Sequence, residues 1–126
     1  MTRFDPYKNF KFLIKWEGRY VAGFRTISQQ DDAVTLEGGV SDDAEFEQWA
    51  ETRRGRRDDD SRTNFVLEER DEEGALRRSL TLRRSWVSEY QALPDLDASA
   101  NAVEIQQLKI EPERLEVNDG NNGETV

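Results

Sequence analysis

Twenty-seven aspartates and glutamates stand among 126 residues, and they are the only abundant side chains able to act as acids or bases near neutral pH. They cluster at Asp31/Asp32, Asp42/Asp43, Asp58 to Asp60 and Asp95/Asp97. Two carboxylates facing across a cleft can cleave a glycosidic bond. Adjacency in sequence does not create a cleft, and pairs arise by chance at this density of acids. Asp58-Asp59-Asp60 offers hard oxygens to a divalent cation but lacks the alternating spacing and turn glycine of a calcium loop. The chain contains no histidine and no cysteine. It therefore has no imidazole base, no thiol nucleophile, no thiolate zinc ligand and no disulfide. These residues predict no enzyme, no cofactor and no metal centre.

Arg53 to Arg62 interleaves arginines with Asp58, Asp59 and Asp60. A phosphate-binding patch and a solvated loop both fit such a run, and the abutting acids cancel the field that the first would need. The whole chain carries a formal charge of −9, with 14 arginines and only four lysines (Lys8, Lys11, Lys15 and Lys109). Many carboxylates and few lysines suit a protein kept soluble in concentrated salt, where screening removes self-repulsion. A halophilic origin is the expectation, and binding to nucleic acid or to an anionic membrane is disfavoured. No apolar run is long enough to span a membrane, and the N-terminus lacks the pattern of a signal peptide, so no membrane anchor is expected.

The elements follow from periodicity. Phe10, Phe12, Ile14 and Trp16 alternate with Lys11, Leu13 and Lys15, as in a half-buried strand. Glu17-Gly18 predicts a tight turn, with Arg19 to Ile27 as the returning strand. Ser28 to Ala33 reads as a polar loop, and Val34 to Leu36 as a short strand broken by Gly38-Gly39. Asp42 and Glu45 form a capping-box pattern, so one helix is expected over 42–54, burying Phe46 and Trp49. Thr63 to Arg70 and Ala75 to Tyr90 read as two long strands. In the second, Leu76, Leu80, Leu82, Trp86 and Tyr90 share even parity, which puts Trp86 on the apolar face. Tyr90 to Ala102 reads as a loop stiffened by Pro94. Val103 to Glu111 is the last strand, with a bulge at Gln106-Gln107 that brings Val103, Ile105, Leu108 and Ile110 to one face. Leu115 and Val117 appear isolated. A single domain over 1–117 is expected, with an irregular arm at 1–9 and a disordered tail at 118–126.

Three stretches carry a family resemblance. Asp5-Pro6-Tyr7-Lys8-Asn9-Phe10-Lys11-Phe12 with Gly18 to Phe24, Thr35 to Ala50, and Trp86 to Val103 occur in the same order as in the phage tail tube family. That family comprises the inner-tube proteins of contractile tails and contractile injection systems. The resemblance covers about half the chain and implies a mainly β fold, an antiparallel sandwich or barrel with one α-helix. It further implies assembly into a hexameric ring with a continuous sheet. Such rings stack into a tube with sheath, baseplate and spike proteins as partners, and with nucleic acid or protein only as cargo in the lumen. Assembly in the cytoplasm and incorporation into a virion or an extracellular injection particle follow from the same resemblance.

The subunit interface it implies includes Asp5, Pro6, Tyr7, Trp86, Ser88, Tyr90, Leu93, Pro94, Asp95, Leu96 and Asp97. Exposed apolar residues such as Leu93 and Leu96 need covering, which agrees with that placement. One departure stands out. The family's long hairpin excursion after the second strand is missing, with only Ser28 to Ala33 between Ile27 and Val34. That opens the reading of a specialised or shortened paralogue. The competing reading is a non-enzymatic β-sandwich adaptor that binds a protein partner through Trp86 to Leu96.

Overall fold

The computed structural model describes residue 7, residues 9–93 and residues 102–119. These contain seven strands and one α-helix, in the order β1 (Phe12–Trp16), β2 (Arg19–Gln30), β3 (Ala33–Ser41), α1 (Ala44–Arg53), β4 (Thr63–Arg70), β5 (Leu76–Ala92), β6 (Val103–Glu111) and β7 (Arg114–Asp119). All paired strands are antiparallel, in the order β4-β1-β2-β3-β6-β5, and β5 returns to β4 to close a six-stranded barrel. Closure removes most of the unpaired strand edges that a sheet would otherwise expose. β5 makes it possible by its 17-residue length. Its first half pairs with β4 and its second half with β6, while β7 adds to β5 over Arg78 to Arg83, outside the barrel.

The interior is filled by alternate residues of every barrel strand. Ile14, Val21, Phe24, Leu36, Phe65, Leu82, Val87, Leu108 and Ile110 are all buried, as is Phe46 of the helix. The predicted even parity along β5 does not hold. Leu80 and Leu82 point inward, but so do Ser85 and Val87, and then Tyr90. The phase flips at Arg84, whose φ of 48° takes it out of the ladder. Its amide is satisfied by Asn64 Oδ1 at 2.9 Å. The phase flips back between Val87 and Glu89. Trp86 is therefore half-buried on the outward face, and Leu76 is exposed. The slip predicted in β6 is present: Ile105, Leu108 and Ile110 are all buried despite their mixed parity.

The expected polar loop at Ser28 to Ala33 is instead the tip of a β-hairpin. β2 continues to Gln30, and only Asp31 and Asp32 turn the chain into β3, with Asp31 at φ 55°. Nor do Gly38 and Gly39 break β3. Gly38 takes up an irregularity at φ 69°, and the strand runs on to Ser41. Gly39 has no space for a side chain, because a Cβ there would lie 2.1 Å from the Gly23 carbonyl oxygen. Leu115 and Val117 are not isolated but belong to β7, which takes in the first two residues of the expected tail.

Helix α1 plugs one end of the barrel. Its cap is Asp43 rather than Asp42, and the Asp43 carboxylate accepts from the Phe46 amide at 2.9 Å. The helix lowers Phe46 and Trp49 onto Trp16 and Phe65. The four rings form edge-on and tilted contacts with centroids 5.6 to 6.3 Å apart. Such pairs add about 0.5–1.5 kcal/mol each to the burial of their surface.

Candidate assembly interface

The pairing registers define which side chains share each outer face. On β1, β4, β5 and β7 one outward row is Leu13, Glu68, Ser79 and Asn118, and the next is Lys15, Val66, Thr81 and Glu116. Arg83 and Arg114 stand opposite each other beyond them. On β2, β3, β6 and the second half of β5 the outward rows are Ser28, Thr35, Lys109 and Glu89, then Thr26, Glu37, Gln107 and Gln91. Glu104 and Glu111 extend the same face at its two ends.

The two faces differ in charge. The first carries Lys11, Lys15, Arg70, Arg77, Arg83 and Arg114 with Glu68, Glu69 and Glu116, and Asp71, Glu72 and Glu73 line the same hollow as Lys11, Arg70 and Arg77. Glu37, Glu89, Glu104 and Glu111 face outward on the second, against Lys109. Five of the first face's six cations are paired within the chain, Lys11 and Arg77 with Glu69, Arg70 with Glu68, and Arg83 and Arg114 with Glu116. On that face Glu68 is buried in a network where Tyr20 Oη donates to it at 2.9 Å and Arg70 Nη2 at 2.7 Å. Burial and the neighbouring Glu68 carboxylate together raise the Tyr20 pKa, keeping that hydroxyl a donor. Glu116 is held by Arg83 at 2.9 Å and by Arg114 at 3.4 Å.

Two strand edges have no ladder partner among the described residues. One is the outer edge of β7. The other is the side of β2 from Arg25 to Gln30 facing away from β3, where β1 has already ended at Phe12. Val117 on β7 is 56% exposed. By contrast, the edge of β5 at Val87 and Tyr90 is covered from the helix end, where Gly55 N donates to Val87 O at 2.8 Å and Arg54 to Tyr90 O at 3.0 Å.

Of the residues expected at the interface, the five described ones do not share one surface of the single chain. Tyr7 is buried and donates its hydroxyl to Asp42. Tyr90 points into the core beneath α1, and its hydroxyl finds no hydrogen-bond partner among the described residues. Burial raises its pKa, and the Glu47 and Glu51 carboxylates raise it further. Trp86 lies on the outward face under the Arg57 guanidinium, 4.6 Å from the ring centroid. Ser88 and Leu93 are half-buried. Asp5, Pro6, Pro94, Asp95, Leu96 and Asp97 lie outside the described residues.

The Arg53 to Arg62 run folds back on the protein. Arg53 and Arg62 donate to the main-chain carbonyls of Asp60, Arg57 and Arg84, and Arg56 pairs with Asp58 at 3.4 Å. Asp59 is taken by Arg84 at 2.9 Å. Among the described residues no cluster of three or more acids is placed to hold a metal ion. No helix of the described residues is long and apolar enough to cross a membrane.

A closed six-stranded antiparallel barrel, plugged by one helix and flanked by an extra edge strand, defines this protein's fold class. The chain belongs to the family of the T4-like virus tail tube protein gp19, whose profile matches residues 28–116. That span begins in the β2 tip and ends in β7, so the Asp5 to Phe24 stretch lies outside it.

Solved structures share the fold. Hcp1 from Flavobacterium johnsoniae superposes with a TM-score of 0.54 at 12% identity, over 87% of this chain and 96% of that one. A chain of the PVC sheath-tube complex of an extracellular contractile injection system, in its extended state, gives 0.52 at 12% identity over 87% and 89%. One from the PVC sheath/tube terminator gives 0.50 at 12% identity over 93% and 99%. Comparison with curated protein sequences gives no match.

Proposed function

We propose that this chain is the inner-tube subunit of a phage tail or contractile injection system, that it forms hexameric rings, and that the rings stack into a conduit for cargo. The observation that carries this reading is the pair of open edges in an otherwise closed barrel. Unpaired N–H and C=O groups on β7 and on the far half of β2 invite pairing with a second copy, and a ring satisfies every such edge without leaving a free end. The face of β2, β3, β6 and β5 suits a lumen wall, since its rows from Ser28 to Glu89 and from Thr26 to Gln91 are polar or charged, with Trp86 half-buried beside Glu111 at one end. Sheath, baseplate and spike proteins are the partners of such a tube. Assembly in the cytoplasm, followed by incorporation into a virion or an extracellular particle, belongs to the same proposal.

The β2–β3 hairpin runs past the end of β1 from Arg25 to its Asp31-Asp32 turn, and no longer loop extends beyond that turn toward a neighbouring ring. Stacking then depends on acidic surfaces approaching each other, which salt favours by shortening the Debye length to about 3 Å at 1 M. Light scattering and negative-stain microscopy from dilute buffer to molar KCl test both levels. Rings of about six 14.6 kDa subunits are expected throughout, with longer stacks and a higher Tm in KCl, as a halophilic protein requires. A sharp monomer at every salt concentration would overturn the tube reading and favour the adaptor. Long regular tubes in dilute buffer would show that stacking never needed the hairpin.

A further inference from the structure

We propose that the turn Arg54-Gly55 is a removable cover on the edge of β5, and that the strand which displaces it is β2 of a second copy. The inference deepens the tube reading and rests on it for the rotation that relates the copies.

The wall formed by β2, β3, β6 and the second half of β5 has two ends. At one end β2 is unpaired over residues 25–30, because β1 stops at Phe12. At the other, β4 leaves β5 at Ser85, and no strand of the described residues takes its place along residues 86–92. What stands there instead is the turn that follows α1. Gly55 N donates to Val87 O at 2.8 Å, and Arg54 Nη1 to Tyr90 O at 3.0 Å. Covering an edge with a loop keeps a free subunit from pairing indiscriminately.

The cover is light. Residues 54–60 are all exposed, and the Arg54 guanidinium is shared with Glu51 at 3.3 Å. No heavy atom outside its chain neighbours lies within 4 Å of where a Gly55 Cβ would be. Only these two bonds hold the turn to the β5 main chain, so a strand that supplies a full ladder would replace them.

Strand direction selects that strand. β2 is antiparallel to β3, β3 to β6 and β6 to β5, so β5 runs opposite to β2. Rotation about a tube axis leaves the sense of every strand along that axis unchanged. The β2 edge of one copy therefore meets the β5 edge of the next in antiparallel fashion, and four strands per copy continue the alternation around the ring. β7 is antiparallel to β5 and so runs with β2. A junction of β7 with β2 would be parallel, the less stable pairing, which leaves the β7 edge to contacts outside the wall. Facing agrees as well. Ile27 packs toward the core from β2, as Val87 and Tyr90 do from β5, so one ladder would set them on the same side.

Hydrogen exchange on the full chain, as free subunit and as ring, tests the proposal, with fragmentation resolving single amides. On ring formation residues 24–30 should exchange about tenfold more slowly and Gly55 about tenfold faster. Arg54→Ala removes one of the two donors and should lower the concentration for half-assembly about threefold, the worth of one hydrogen bond. Arg56→Ala, in the same loop with its side chain on Asp58, should assemble like the wild type. Circular dichroism checks folding. Gly55 still protected in the ring, residues 24–30 still exchanging freely there, or Arg54→Ala assembling no more readily than the wild type would each overturn the proposal. Should the wild type stay monomeric, the tube reading fails, and a fluorescein-labelled peptide of residues 24–30 decides the cover by anisotropy. Binding about threefold tighter to Arg54→Ala than to the wild type supports it, whereas equal binding or none overturns it.

Discussion

Arg57 lies over the Trp86 ring at 4.6 Å, on the opposite side of β5 from Val87, which is wholly buried. Trp86 is thus a surface aromatic held by a loop arginine, not a core residue. A cation–π contact of this kind is worth about 0.5–2 kcal/mol. Arg57→Ala should lower stability by that amount in urea titrations. Trp86→Ala should cost clearly less than Phe46→Ala, for which about 3–5 kcal/mol is expected. Equal losses for Trp86→Ala and Phe46→Ala would place Trp86 in the core and refute the phase reversal at Arg84.

Gly39 and Gly23 separate two kinds of glycine constraint. An added Cβ at Gly39 meets the Gly23 carbonyl and the Phe24 ring, at 2.1 and 2.5 Å. At Gly23 it meets only the Phe10 side chain, at 3.0 Å. Gly39→Ala should therefore destabilise by about 3 kcal/mol or more, since backbone must move. Gly23→Ala should cost about 1 kcal/mol, as Phe10 shifts. Thermal melts of the two variants decide it, and equal Tm values would contradict the close approach.

Asp43 caps α1 and binds Arg19, with Arg19 Nε 2.6 Å from its carboxylate. The Arg19 hydrogen bond, joined by the Phe46 amide, lowers its pKa below the ordinary value of 3.8. A carboxylate with a depressed folded pKa contributes stability that is fully present above 3.8 and lost as pH falls through the lower folded value. Asp43→Asn keeps a capping oxygen but loses the charge, so its stability should vary less with pH below about 4. Asp43→Ala should cost about 1–2 kcal/mol at pH 7. Chemical denaturation of both variants from pH 2.5 to 7 measures this, and a wild-type acid slope retained by Asp43→Asn would assign the effect elsewhere.

Tyr90 places a hydroxyl in the core with no hydrogen-bond partner among the described residues. An unsatisfied buried hydroxyl costs about 1–3 kcal/mol. Tyr90→Phe should therefore leave stability unchanged or raise it by up to about 1 kcal/mol. A drop of more than 1 kcal/mol in equilibrium unfolding would mean that the hydroxyl has a partner in the assembled chain.

Local pattern sufficed for much of this protein. Strict alternation in Phe12, Ile14 and Trp16, the Glu17-Gly18 turn, the Thr63 to Arg70 strand, and the slipped parity of Ile105 and Leu108 each depend on neighbours within a few residues. Helix α1 was legible for the same reason, apart from which aspartate caps it. That choice depends on Arg19 and Tyr7, which approach Asp43 and Asp42 from 24 and 35 residues away. The absence of histidine and cysteine was equally plain from composition.

What alternation could not reveal is the turnover of β5 at Arg84. A non-glycine residue at positive φ has no sequence signature, and its amide is satisfied by Asn64, twenty residues away. That one residue decides whether Trp86 faces the core or the outside. The β2–β3 hairpin was hidden because Ser28, Gln29 and Gln30 are polar on both faces, and a strand end outside the core needs no apolar alternation to pair through its backbone. The pattern of ion pairs on the outer faces was also out of reach. Lys15, Arg77, Arg83 and Arg114 come together only through the register of four strands spread over a hundred residues, and that register is set by the packing of the barrel interior.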